Sequence, residues 1–242
     1  MTKLSIAVLV ASAACAALAF AVLDADAQAP PAQPAAAVLA EMQDRTTLRP
    51  LTAFTTIADR NARSVALFEE AGKVIAHPRC ANCHPVSSPA QGDDRKVHMP
   101  AVQRGVLGEH KEGKGAVGLP CASCHTAKNV WVGGTNIVTI PGAPKWALAP
   151  ASQAWQGKSL GDICRQIKDP ARNGGKTLAQ IHEHMAADVL VAWAWNPGAG
   201  RTAAPGTQAQ FGEIIKAWID SGAACPTGGP VVPSHEPIAA AD

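Results

Sequence analysis

Two pentapeptides in this 242-residue chain bring thiols and imidazoles together at fixed spacing: Cys80-Ala81-Asn82-Cys83-His84 and Cys121-Ala122-Ser123-Cys124-His125. Each reads C-x-x-C-H. Two residues between the cysteines let one turn of backbone carry both sulfurs to the same side, and a histidine directly after the second is held beneath whatever the sulfurs grip. In this pattern two thiols form thioethers with the vinyl groups of a c-type haem, and the adjacent histidine ligates the iron. A C-x-x-C pair also serves zinc and thiol redox chemistry, but neither requires a histidine after both pairs. The spacing predicts two covalently attached haems c, held by Cys80, Cys83, Cys121 and Cys124, with His84 and His125 as proximal iron ligands.

A haem ligated only from below has an open face, which a low-spin electron carrier closes with His or Met from elsewhere in the fold. Between the motifs the candidate donors are His98, Met99 and His110. His98, followed by Met99-Pro100, is the first choice for one haem, with Met99 as an alternative; His110 lies in a charged turn and reads as surface. His77, three residues before Cys80, is either a histidine at a helix C-terminus, where it meets the last carbonyls, or a sixth ligand of the other haem. Beyond the motifs stand His182, His184 and Met185 on one predicted helix. At about 100° per residue, Leu178, Ile181, Met185, Val189 and Ala192 form its apolar face, His182 sits at the edge and His184 lies well round the other side. Helical position alone favours His182 or Met185 over His184.

Seven cysteines are present. Four belong to the motifs and Cys15 to the leader, which leaves Cys164 and Cys225; an even remainder in an exported chain is most simply a disulfide. A sharper alternative makes one of the two a thiolate haem ligand. No catalytic residue is assigned.

The rest of the chain must deliver and cover these groups. Residues 1–27 read as a signal peptide: Lys3 in a short positive start, an apolar run from Leu4 to Leu23, and Ala25-Asp26-Ala27 as a small-residue cleavage site. The run is close to the ~20 residues that span a bilayer, so contact with a membrane depends on whether the signal stays uncleaved. Cys15 lacks the leucine three residues before it that a lipoprotein signal would carry. Residues 28–55 hold a Pro/Ala tether, Ala29 to Ala37, and a short N-terminal segment. Residues 56–228 hold the haem-binding domain, and 229–242 form a flexible tail.

The predicted fold is mainly α: a compact dihaem, cytochrome c-like helical domain with long haem-wrapping loops. Apolar residues recur at helical intervals over 57–75. A Ser-x-x-Asp cap opens a helix over 159–168, and capping boxes at Thr177 and Thr207 open two more, the first running to about Trp195 and the second ending at Gly222. Pro85 to Pro120 and Asn129 to Pro150 read as loops, with a short β-prone run from Asn136 to Ile140. Trp131 and Trp146 are candidates to lie against a porphyrin or to serve as ordinary core tryptophans. Cys80 and Cys121 are only 41 residues apart, too close for a tandem of complete single-haem domains, so the two haems should share one lobe. The formal net charge is +2, with no Lys or Arg run, and nothing argues for nucleic acid.

From Phe68 to Pro226 the chain resembles a family of bacterial dihaem cytochromes, many labelled as cytochrome subunits of isoquinoline 1-oxidoreductase, a molybdenum hydroxylase. The resemblance rests on His77-Pro78-Arg79-Cys80, Gln103-Arg104-Gly105, Pro120 to His125, Pro141-Gly142-Ala143-Pro144-Lys145-Trp146 and Ala154-Trp155-Gln156-Gly157-Lys158-Ser159-Leu160. It continues through His184-Met185 with Asp188, Trp193-Ala194-Trp195, Ala217-Trp218-Ile219-Asp220, Gly222-Ala223 and Cys225-Pro226. It implies a periplasmic electron carrier whose redox partner proteins include a dehydrogenase donor of the molybdenum hydroxylase type and a respiratory acceptor. It also shifts the distal choice on the Thr177 helix to His184, which needs a bend near that residue, with His182 as runner-up. No molybdenum or flavin motif occurs here, so any hydroxylation would belong to the partner. The competing expectations are a dihaem enzyme of peroxidase or thiosulfate-oxidising type with one open haem site, and a zinc-binding structural protein.

Overall fold

The computed structural model describes residues 46–102, 115–116, 118–130 and 139–234. The expectations for the leader, its Cys15 and cleavage site, the Pro/Ala tether, Gln103-Arg104-Gly105, His110, Trp131 and most of the β-prone run lie outside the described residues.

The described chain is mainly helical. Helix α1, Arg60–Ile75, starts where Asp59 accepts a hydrogen bond from the Ala62 amide at 2.6 Å. The short helix α2, Pro78–Ala81, carries Cys80 and has proline at its first turn, where the missing N–H costs nothing. Helix α3, Leu160–Lys168, is capped by Ser159; α4, Leu178–Ala187, and α6, Gln208–Asp220, open on capping boxes, Thr177 with Gln180 and Thr207 with Gln210.

Between α4 and α6 the structure departs from the single helix expected to run to Trp195. The chain leaves the helix at Asp188, whose backbone is extended, and restarts as α5, Val189–Ala192, followed by a 3-10 turn over Trp193–Trp195. Asp188 is itself the cap of the new helix, accepting from the Leu190 amide at 2.8 Å. Its carbonyl accepts from the Ala192 amide at 2.9 Å and from Gln208 Nε2 of α6 at 3.1 Å. Hydrophobic periodicity continues through residue 192, so pattern alone does not reveal a polar cap in its midst.

Helix α6 is the centre of the core and packs against both α1 and α4. Phe68 of α1 and Trp218 of α6 meet with ring centroids 4.8 Å apart. On the other side Gly212 lets α4 approach closely: a Cβ there would come within 2.6 Å of the Ala186 Cβ. Cys164 of α3 and Cys225, just past α6, form a disulfide with Cα atoms 5.6 Å apart.

The structure redraws the expected domain limits. Leu48 and Phe54 are buried in the same core as α1 and α6. Arg49, through its backbone N–H and its Nε, holds the buried Glu70 carboxylate at 2.9 and 2.6 Å, so residues 46–55 belong to the folded body. At the other end Val232 is buried, its amide donates to the Lys158 carbonyl at 3.0 Å, and Val231 bridges Ser159. Residues 229–234 therefore pack on the domain.

The segment between the two motifs, expected as loop, contains two antiparallel hairpins. Strands β1, Ala90–Gln91, and β2, Lys96–Val97, pair Ala90 with Val97; β3, Gly115–Ala116, and β4, Leu119–Pro120, pair Gly115 with Pro120. Among the described residues no helix is long and apolar enough to cross a membrane.

Candidate functional site

Helix α2 and the turn after it shape the first pentapeptide: the Cys83 amide donates to the Cys80 carbonyl and the His84 amide to that of Ala81. Two further backbone bonds tie it to the segment ahead of α3, Ala149 N–H to the Cys83 carbonyl and Trp155 N–H to the His84 carbonyl. Cys80, Cys83 and His84 open onto a largely apolar cavity of about 260 Å³ whose far wall is Ile181, His184 and Met185 of α4. None of the four motif cysteines is in a disulfide. Burial and the neighbouring Cys83 push the Cys80 thiol up to about 12, and burial pushes that of Cys83 up to about 11. Neither is poised for thiol–disulfide exchange, which needs a depressed thiol pKa.

The second pentapeptide begins as a 3-10 turn over Cys121–Ser123, directly after β4. Cys121 is half-buried and Cys124 exposed, whereas His125 is buried. Burial holds the His125 imidazole below its ordinary pKa; a bond to the Pro141 carbonyl works against this, and nearby His98 adds to it.

The two motif histidines are held alike. His84 Nδ1 lies 2.7 Å from the Gln153 carbonyl, and His125 Nδ1 lies 2.7 Å from the Pro141 carbonyl. A carbonyl only accepts, so in both rings Nδ1 carries a proton and Nε2 is the nitrogen turned the other way, the arrangement of a metal-ligating imidazole with an oriented outer partner. Each ring also lies flat on an indole: His84 on Trp155 at 3.5 Å and 10°, His125 on Trp146 at 3.8 Å and 17°. Trp146 thus packs on a motif histidine and also lines the cavity beside Cys80 and Cys83, so the wall between the two motifs is shared.

Two of the proposed distal histidines repeat the pattern. His98 Nδ1 lies 3.0 Å from the Pro100 carbonyl and His184 Nδ1 lies 2.9 Å from Asp188 Oδ2; both oxygens accept, and both rings keep Nε2 free. The His98 ring stands 6.0 Å from that of His125, centroid to centroid. Two imidazoles bound to one metal through nitrogens at about 2 Å would stand about 6 Å apart. His184 shares the first cavity with His84.

The remaining candidates are placed differently. The His77 amide donates to the Val74 carbonyl of α1 at 3.0 Å, but its ring is turned forward as the N-cap of α2, Nδ1 accepting from the Arg79 amide at 3.2 Å. That bond spends the Nδ1 lone pair and leaves the proton on Nε2, the opposite tautomer. Burial and the Arg79 charge push His77 down to about 4, so it is neutral near pH 7. Met99 is 66% exposed. Met185 lines the first cavity next to His184, but His182 does not. On the helical wheel His184 and Ala186 lie on opposite flanks of the apolar face. Helix α6 closes on the Ala186 flank through Gly212, while Ile181 and Met185 of the apolar face line the cavity together with His184 of the other flank.

The donor set suits a haem iron: at each motif two imidazoles oriented through Nδ1 stand beside a pair of thiols outside any disulfide. Among the described residues no three His, Cys, Asp or Glu side chains converge on one point, as a structural zinc would require. The residues that hold the imidazoles were not assigned from sequence. Gln153, Pro141 and Pro100 act through backbone carbonyls, which no side-chain type announces. Asp188 was legible as a carboxylate four residues after a helical histidine, and Trp155 as the second of two tryptophans flanking a Pro-rich turn. Compared with family models, curated proteins and solved structures, the chain matches none.

Proposed function

We propose that this chain is an exported dihaem c-type cytochrome, a helical electron-transfer protein that passes electrons from a dehydrogenase-type oxidoreductase to a respiratory acceptor in the periplasm. The observation that carries this reading is the repeated treatment of four histidines. His84 with His184, and His125 with His98, each present an unprotonated Nε2 because Nδ1 is bonded to a fixed acceptor.

Cys80 and Cys83 would hold one haem through thioethers and Cys121 and Cys124 the other. Bound there, the iron would supply one-electron exchange between ferric and ferrous states. The protein's own part is to keep two imidazoles on each iron in both states, so that no position opens to substrate, and to keep water from the first site with Ile75, Leu148, Ile181 and Trp193. Fixed rings and a rigid indole under each motif histidine limit the rearrangement that accompanies electron exchange. A molybdenum hydroxylase-type donor fits the family resemblance, and the leader fits export.

The test is the spectrum of protein matured in a host that attaches haem c. Two haems per chain, a low-spin α-band on reduction and a six-coordinate ferric resonance signal are expected. A five-coordinate, high-spin resting state, rapid cyanide binding by one haem, or stoichiometric zinc without a Soret band would overturn the carrier reading.

A further inference from the structure

The four acceptors that orient the histidines are not equivalent. Three are neutral backbone carbonyls; the fourth, on His184, is the carboxylate of Asp188. We infer that Asp188 is a charged positioning residue that sets the reduction potential of the haem at the first motif alone. This rests on the reading of His184 as that haem's distal ligand.

The geometry is fixed from three directions. Asp188 Oδ2 takes the Nδ1 proton of His184 as a hydrogen bond at 2.9 Å, while Oδ1 accepts from the Leu190 amide at 2.8 Å. The backbone of Asp188 is anchored by Gln208 through the carbonyl bond at 3.1 Å. The carboxylate is thereby aimed at the imidazole by the helix break, not by a rotamer it could abandon. An i, i+4 pair on an uninterrupted helix could swing to solvent, but here the other oxygen of the same carboxylate serves as a helix cap worth about 1 kcal/mol.

A carboxylate on Nδ1–H draws the proton toward itself and makes the ring a more basic, more electron-rich donor than a carbonyl does. The added negative charge favours ferric over ferrous iron, so Asp188 lowers the potential of that haem relative to the same site without it. His98 carries no counterpart, since its partner is the Pro100 carbonyl.

The test is Asp188→Ser, because serine keeps the N-cap but is neutral and too short to reach His184. Potentiometric titration should show one of the two midpoint potentials rise, by a shift in the ferric–ferrous equilibrium of about tenfold, equivalent to about 59 mV for one electron. The other potential should stay in place and both haems should remain low-spin. Asp188→Asn, which shares only the loss of charge, should move the same haem in the same direction. Unchanged potentials in both variants, or an equal shift of both haems, would overturn the assignment. His184→Ala tests the underlying reading separately. If it converts one haem to high spin while the Asp188 variants shift nothing, only the role of Asp188 fails. If it leaves both haems low-spin, the ligand assignment fails and the proposal with it.

Discussion

His98 and His125 stand with ring centroids 6.0 Å apart and ring planes inclined by 38°, although 26 residues separate them and neither bonds to the other. Each is held from its own side, His98 by the Pro100 carbonyl and His125 by the Pro141 carbonyl. Two independently anchored imidazoles with a metal-sized interval between them are expected to act as one axial pair.

Replacing His98 by alanine should remove the low-spin signal of one haem and spare the other. Changing His77, Met99 or His182 to alanine should leave both signals in place, because His77 has the opposite tautomer, Met99 points to solvent and His182 is outside the cavity. Electron paramagnetic resonance of the oxidised variants reads this directly; a lost signal in Met99→Ala with none lost in His98→Ala would reverse the choice.

Trp155 supports His84 face to face and is itself buried. Trp155→Ala should cost about 3–5 kcal/mol of stability, the range for truncating a buried indole, and should broaden the spectrum of one haem as His84 loses its fixed orientation. Trp155→Phe should keep the stack and most of the stability. Chemical denaturation monitored by circular dichroism compares the two.

Glu70 is buried between Arg49 and Lys73. Burial alone would raise its pKa, but bonds from the Arg49 backbone, Lys73 and the Arg49 side chain outweigh it and hold the carboxyl below its ordinary value. A depressed folded-state pKa means that the stabilisation is complete above the unfolded-state pKa and is lost as pH falls through the folded-state one. Acid unfolding should therefore set in below about pH 4–5. Glu70→Gln should flatten that slope and cost about 1–3 kcal/mol near neutral pH through bonds left unmade; stability measured across pH 3–7 separates the two effects.

The Cys164–Cys225 bridge closes a long loop, its ends at a sequence separation of 61. The double variant Cys164→Ser/Cys225→Ser should lose roughly 2–4 kcal/mol with both haem spectra intact. Loss of one haem's low-spin signal in that variant would revive a thiolate ligand.

Where a side chain announces its role by type and spacing, the sequence was readable. The motifs and the caps at Ser159, Thr177 and Thr207 needed no coordinates. Three things were not. The break at Asp188 lies inside a hydrophobic period that runs on past it, so a cap residue was mistaken for helix interior. Which flank of α4 meets the cavity depends on where α6 packs, a non-local fact marked by the close approach of Gly212 to Ala186. The placement of Leu48, Phe54 and Val232 in the core was hidden by short segments with no period to read.

The hairpin β1–β2 is bonded at its turn to the first motif, Asn82 Nδ2 to the Gly92 carbonyl and Arg79 to Asp93, and it ends at His98, whose amide returns to the Pro89 carbonyl. The span from Gly92 to His98 is therefore a strut of fixed length, with one foot on the first attachment turn and the other opposite His125. An inserted residue there would displace His98 even though the helical core stayed whole, so this short surface segment tolerates a change of length poorly.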